Sequence, residues 1–477
     1  MRFQKLLHSL VAPIIQRRYD VMLICVVLIG FFLMSRMALL RHWGLGSYHF
    51  DLGNMLQAVA TTAQGKFLVI TDPYTFQQTS RLAYHFDPIL ALLAPLYMLY
   101  QYAETLILVQ AFVVVLGAIP VYLIASDMLG HKRYGLVCAV WYLMYYPIQR
   151  TVLFDFHAVT LSTSLLLWMF YFAKVQRFKA SLLCMSLALL TKENVPLITA
   201  TFGLYHVFVN KNTRFGWSVF FASLLVFGVV MGLVIPASRQ GGAHFADSYF
   251  SRSVPENIRQ LFRIESVRYI HTLLLPTGYM ALLSPATFFI ALPELLINML
   301  SKNSNMRDLQ YHYSALISPF IIVSSIYGVK VLSRAIQLKV ILGGLTALIF
   351  ITMLGNSPVL SGRTVNVSER QTVLQWQEKL RDPKVKVAAT GHLSPYFAGR
   401  EYFYNFFFDF AYRNQGFSDE DLMQLVGHYN FADYVLIKES EITSHKLVQY
   451  YYQDLVRNQL YQKIYDNNGI EVYKKIL

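Results

Sequence analysis

The chain has 477 residues, of which 55% are hydrophobic and only 14% are charged, against about 25% charged in ordinary soluble proteins. A soluble fold of this length cannot enclose so much apolar surface, and a lipid-exposed exterior resolves the excess. The net charge of +14 therefore belongs to basic loops facing anionic lipid, and no nucleic-acid partner is expected.

Arg17 and Arg18 precede an apolar run over 21–40. It is too long for a signal-peptide core and lacks a small-residue cleavage site, so it reads as an uncleaved first span. Spanning takes roughly 20 apolar residues, fewer where neighbouring helices shield the ends. Further spans are expected at 105–126, 134–147, 158–173, 180–191, 195–209, 216–235, 269–283, 285–300, 314–329 and 340–355. Cys25, Cys138 and Cys184 all lie in apolar runs, without disulfide framework or zinc spacing. The expected class is an α-helical polytopic membrane protein of about eleven spans.

Charge orients these spans. Lys5, Arg17 and Arg18 place the N-terminus in the cytoplasm, and Lys132/Arg133, Lys174/Arg177/Lys179, Lys211/Arg214 and Lys330/Arg334/Lys339 form further basic clusters. All are cytoplasmic together only if 41–130 crosses once, which makes the apolar stretch 88–100 interfacial or re-entrant. The first loop, 41–104, and a second, 237–268, then lie outside the cytoplasm, in a cell or plasma membrane. Past Gly355-Asn356-Ser357-Pro358 the charge disperses, and 356–477 reads as a small extracytoplasmic α/β domain. Strands are expected at 385–390, 432–437 and 470–473, and helices at 367–381, 418–428 and 443–459.

The ionisable residues gather on the outer face. Asp51, in Phe50-Asp51-Leu52-Gly53, stands before an expected helix over 52–64. It is either an N-cap or a base or metal contact, with the helix dipole favouring its ionised form. His85-Phe86-Asp87-Pro88 and Phe154-Asp155-Phe156-His157 each set an Asp and a His two residues apart in a turn. Such pairs hold a divalent cation, orient each other as acid and base, or simply cap interfacial helices. Asp51, His85, Asp155 and His157 are the metal candidates.

Thr191-Lys192-Glu193-Asn194 sets a Lys-Glu dipeptide between two short apolar helices. That is costly in lipid unless it faces a cavity or pairs. Lys192 suits a substrate phosphate, and Glu193 a partner beside it. In 237–268, Arg239, Arg252, Arg259, Arg263 and Arg268 face Asp247, Glu256 and Glu265. Arg259, Arg263 and Arg268 have helix-compatible spacing, either a headgroup-binding stripe or a solvated face. His312, in Gln310-Tyr311-His312-Tyr313-Ser314, adds an imidazole to the same surface.

Phe50-Asp51-Leu52-Gly53, His85-Phe86-Asp87-Pro88, Asp155-Phe156-His157, Thr191-Lys192-Glu193, Leu292-Pro293-Glu294-Leu295 and His312-Tyr313-Ser314-Ala315 occur in an order that resembles one prokaryotic family. It is the membrane-protein family catalogued as domain of unknown function number two thousand and seventy-nine, and the likeness covers residues 20–450. Where Asp87 stands the family usually carries a small residue, which puts a role for Asp87 in doubt. The layout is similar to the GT-C superfamily of membrane glycosyltransferases, which implies a polyprenyl-phosphate sugar as donor and matches Asp51 to their acidic residue after span one.

The function expected is transfer of a sugar from a polyprenyl-phosphate donor to an extracytoplasmic acceptor. Asp51 would be catalytic, and His85, Asp155, His157, Lys192, Glu193, Arg259, Arg263 and His312 would bind substrate. The alternatives are a lipid or envelope-precursor flippase, or a non-catalytic envelope assembly protein. The polar groups lie at span ends rather than at the midplane, which favours an interfacial enzyme over a transporter.

Overall fold

The protein was analysed as a computed structural model that describes residues 2–239, 253–407, 417–443 and 445–476. Asp247 and Arg252 fall outside the described residues. The chain divides into two compact units. One comprises residues 1–37, 109–154 and 158–361; the other comprises 38–108, 155–157 and 362–477.

The first unit is helical. Among the described residues four helices are long and apolar enough to cross a bilayer: Arg17–Trp43, Glu104–Leu129, Thr213–Ser238 and Leu338–Asn356. Their large apolar side chains point outward, with Leu28, Phe32, Phe221, Leu225, Val340 and Ile351 all exposed. That is the surface lipid requires and water penalises. Ala158–Lys174, Phe178–Leu189, Val195–Phe208, Pro285–Leu300 and Ser318–Leu332 are shorter apolar helices. At about 1.5 Å per residue they fall short of a hydrocarbon core of roughly 30 Å. Their polar ends are closed by protein groups, as where the Thr191 hydroxyl meets Ser162 Oγ at 2.5 Å.

Ion pairs gather the basic helix ends. Lys132 Nζ lies 2.6 Å from Asp20, whose other oxygen accepts from the Tyr122 hydroxyl at 2.6 Å. Lys174 pairs with Asp127 at 2.5 Å. Three of the expected basic clusters thus share one end of this unit. The segment Pro88–Leu99 of the other unit is a 3-10 turn and a short helix of 12 residues, about 20 Å long, too short to cross alone.

The second unit holds two sheets. Strands β1 (Val69–Thr71) and β2 (Gln78–Ser80) form a hairpin in the first loop. The C-terminal segment folds into a five-stranded sheet of order β4-β3-β5-β7-β6. Its strands are β3 (Val387–Ala389), β4 (Phe403–Asn405), β5 (Tyr434–Lys438), β6 (Tyr461–Asn467) and β7 (Ile470–Lys475). The pairs β3–β4 and β3–β5 are parallel, and β5–β7 and β6–β7 antiparallel.

Alternation divides the strand side chains between two cores. Val387, Ala389, Leu436, Ile470 and Val472 pack with Val373 and Trp376 of the helix Val367–Lys379. Ala388, Val435, Ile437 and Tyr473 pack with Val448, Tyr451 and Leu455 of the helix Lys446–Arg457. The expected strands near 385–390, 432–437 and 470–473 correspond to β3, β5 and β7. Strands β4 and β6 were not anticipated, although Asn468-Gly469 between β6 and β7, both at positive φ, is the turn a tight hairpin uses.

Within the helical unit, Val195–Phe208 and Thr213–Val229 pack at glycines. A Cβ at Gly203 would lie 2.7 Å from the carbonyl oxygen of Gly216, and a Cβ at Gly216 would lie 2.7 Å from that of Gly203. Small residues allow such backbone approach in membrane helices. Gly203→Leu should therefore force these helices apart and cost about 1–3 kcal/mol, read as a lowered Tm in detergent. The lipid-facing Leu225→Ala should leave Tm nearly unchanged.

Candidate functional site

The second unit assembles a carboxylate–histidine centre from three separated stretches of chain. Residues His49–Gly53 form one wide π-helical turn before the helix Asn54–Ala63, a distortion that recurs at functional sites. Asp51 sits in that turn. The helix start is Gly53, without a side-chain cap, so Asp51 does not spend its carboxylate on capping. Its side chain keeps 25% exposure, and its Oδ1 lies 3.1 Å from Nε2 of buried His157. With Nε2 protonated, His157 donates to Asp51. The other ring nitrogen lies 3.4 Å from the carbonyl oxygen of Asp155.

Asp155 is buried beside them. Its Oδ2 accepts the Tyr48 backbone N–H at 3.1 Å and lies 3.4 Å from Nη2 of Arg41, which also donates to the Gly46 carbonyl at 2.7 Å. Burial outweighs these contacts and, with help from the Asp51 charge, pushes the Asp155 carboxyl up to about 7. Arg363 is near enough to feel the charges of both Arg41 and Asp155. His49, two residues before Asp51, is held neutral by burial, its pKa pushed down to about 3, so it is not a proton carrier near neutral pH.

Of the expected pair His85 and Asp87, the acid is engaged by an arginine. Asp87 is buried and bound by Arg81, with Nη2 and Nε 2.9 and 3.1 Å from its Oδ2, while Arg81 Nη1 donates to Asn54 Oδ1 at 3.1 Å. That is a structural ion pair, fully engaged. His85 is half-buried, its backbone N–H bonded to the Arg81 carbonyl at 3.3 Å. Of the metal candidates Asp51, His85, Asp155 and His157, no three bring ligand atoms within 4.8 Å of one another. Among the described residues the one such group is Glu439, Asp466 and Glu471, and Lys463 Nζ already lies 2.9 and 2.8 Å from the latter two.

The helical unit holds Lys192 and Glu193 in a second polar cluster. Glu193 is buried and Lys192 half-buried, with its Nζ 5.7 Å from the centre of the Tyr313 ring. Glu294, 3% exposed, accepts from Asn194 Nδ2 at 2.7 Å and feels the charges of Lys192 and Glu193. His312 is buried, packed on Phe154 and Tyr313. Arg259 and Arg263 are exposed. The chain turns at Phe262–Arg263, between the helices Val254–Leu261 and Ile264–Leu274, which breaks the expected stripe with Arg268.

Sequence reasoning missed Arg41, Tyr48 and Arg363, and it quoted Glu294 within a family motif without giving it a role. Only Glu294 had a visible signal, a carboxylate inside the apolar Leu292-Pro293-Glu294-Leu295.

The chain is similar to solved membrane-protein structures. ArnT from Cupriavidus metallidurans bound to undecaprenyl phosphate aligns with a TM-score of 0.56 at 11% identity, over 96% of this chain and 98% of that one. Its apo form gives 0.52 at 11% identity over the same shares. Mycobacterial arabinofuranosyltransferase AftD gives 0.52 at 13% identity, over 95% of this chain and 40% of that one. At such identities the likeness shows the fold, a GT-C-like assembly of membrane helices with a small C-terminal sheet domain. No curated protein matches the chain in sequence. The profile of the family described as Predicted membrane protein (DUF2079) matches residues 41–472, and the chain belongs to that family of membrane proteins.

Proposed function

We propose that the protein is a membrane glycosyltransferase that moves a sugar from a polyprenyl-phosphate donor to a hydroxyl acceptor outside the cytoplasm. The observation that carries this reading is the accessible Asp51 carboxylate held 3.1 Å from buried His157, beside Asp155 and Arg41. The fold shared with ArnT and AftD supports it, and the undecaprenyl phosphate bound to ArnT supports a lipid-linked donor.

Asp51 accepts the proton of the acceptor hydroxyl as that oxygen bonds to the anomeric carbon of the donor sugar. The bond from that carbon to the phosphate oxygen breaks, and the polyprenyl phosphate leaves with the electron pair. His157 orients Asp51. Positive charge must meet the leaving phosphate, and Arg41 and Arg363 supply it within the same unit. Lys192, backed by Glu193 and Glu294, is the group assigned to the phosphate in the helical unit. His85, Arg259, Arg263 and His312 are assigned to substrate positioning. By charge, the basic helix ends face the cytoplasm of a plasma membrane and the sheet domain lies outside.

Cells lacking the protein should accumulate a polyprenyl-phosphate sugar, and the wild-type chain should clear it. Asp51→Asn should reduce clearance at least about 100-fold with expression and Tm unchanged. Clearance by Asp51→Asn at the wild-type rate would sink the transferase reading. His157→Gln, which still reaches Asp51, should lose less than Asp51→Asn.

Asp155 gives a second measurement. The folded state holds its proton more tightly than an unfolded chain does, so its contribution to stability is complete below about pH 4 and is lost as pH rises through about 7. Wild-type Tm should therefore fall between pH 5 and 8 more steeply than that of Asp155→Asn. Parallel curves would show that Asp155 does not titrate in this range.

A further inference from the structure

Strand β3 has β4 on one side and β5 on the other, all three parallel. The chain leaves β3 to build β4, then returns to the opposite side for β5. Loops that diverge in this way open a crevice at the carboxyl ends of the strands, where open α/β sheets bind ligands. Such a crevice is present here, with a volume of about 190 Å³. Thr390 and Gly391 line it after β3, Phe407 after β4, Glu441 and His445 after β5, and Tyr48 enters from the first loop. Every one of these residues belongs to the same unit.

The lining chemistry narrows the ligand. Neither lysine nor arginine lines the crevice among the described residues, which disfavours an anion. Glu441 accepts the His392 backbone N–H at 3.2 and 3.3 Å and the Thr390 hydroxyl, with the charges of His392 and Lys438 already beside it. A further cation is not needed to balance it. Burial raises its carboxyl from the ordinary value, while the hydrogen bonds it accepts from Thr390 and His392 oppose that rise. The walls are aromatic: Phe407 stacks on His445 with ring centroids 5.4 Å apart, and the Tyr48 ring lies against the bare Cα of Gly391, where a Cβ would collide with it. Flat apolar rings around one carboxylate and one hydroxyl suit a ligand with apolar faces and a rim of hydroxyls. The space is below that of drug-sized pockets and admits one small ring.

We propose that this crevice binds one neutral glycosyl unit, stacked on Tyr48 and Phe407 with its hydroxyls on Glu441, and that this unit belongs to the acceptor. The acceptor assignment rests on the transferase reading; the binding does not. Tyr48 joins the two places physically, because its ring walls the crevice while its backbone N–H holds Asp155 at 3.1 Å. The carbonyl oxygen of neighbouring Ser47 lies 3.0 Å from Nδ1 of His392, which fastens the first loop to the turn after β3.

The test uses the full-length protein in lipid nanodiscs, with saturation-transfer NMR on methyl glycosides of hexoses, pentoses and N-acetylhexosamines. Tetramethylammonium and inorganic phosphate serve as the rival probes. At least one glycoside should receive saturation, and Glu441→Gln should weaken its binding about tenfold, the scale of one hydrogen bond to a charged group, at unchanged Tm. Phe407→Ala should weaken it similarly by removing a stacking wall. Binding is read without donor or turnover, so a failed transferase reading leaves this signal intact, and a failed binding result leaves the Asp51→Asn clearance result intact. Absence of glycoside binding would overturn the proposal. So would binding indifferent to both crevice variants, or tetramethylammonium or phosphate binding in the glycoside's place with sensitivity to Glu441→Gln.

Discussion

Burial of the Asp155 carboxylate is the constraint on which the second unit depends. An ionised carboxylate taken out of water costs several kcal/mol unless hydrogen bonds and opposite charge compensate it. Here the compensation comes from Arg41 and the Tyr48 N–H, which belong to the start of the first loop. Arg41 also holds the Gly46 carbonyl, so one side chain shapes the turn and meets the acid. Residues 155–157 are thereby drawn into a unit whose other members lie far away in sequence. His157, two residues on, arrives already buried and within reach of Asp51.

This division of labour explains why the acids behave differently. Asp87 and Asp155 are both buried, but Arg81 binds Asp87 through two of its nitrogens at 3.1 and 2.9 Å, whereas Arg41 Nη2 lies farther from Asp155, at 3.4 Å. Asp87 is thus committed to holding the loop together. Burial raises the Asp155 carboxyl to about 7, and of the three acids Asp51 is the most exposed, at 25%. A site needs such asymmetry, because an acid fully engaged by protein has no capacity for substrate.

The membrane class was legible because apolar length and charge bias are coarse signals that survive without knowledge of contacts. The short ionic motifs were legible for a related reason: a charged residue at the edge of an apolar run is conspicuous. Asp51, Asp155 and His157 were found that way, and they do meet. Arg41 and Tyr48 were not, because an arginine at the end of a span reads as an ordinary interfacial anchor, and a backbone N–H leaves no mark in sequence. The break between Arg259 and Arg268 was invisible too, since spacing cannot register a turn at Phe262. Strand β4 escaped notice because Phe403–Asn405 is three residues long and acquires its character only by pairing with β3.

The boundary at residue 356 shows how composition and structure answer different questions. Charge density changes there, so the C-terminal segment reads as a separate domain. Its contacts say otherwise. Gln57 donates to the carbonyl oxygen of Arg400 at 3.3 Å, the Phe403 N–H donates to Thr71 Oγ1 at 3.1 Å, and the Tyr396 hydroxyl donates to the His42 carbonyl at 2.9 Å. Buried polar groups of the first loop find their partners in the sheet domain, and removal of either leaves the other with unsatisfied donors and acceptors. The cooperative element is therefore the first loop together with the sheet. A centre in which Asp51 comes from the loop and a crevice comes from the sheet follows from that joint folding, since neither segment presents a complete polar surface alone.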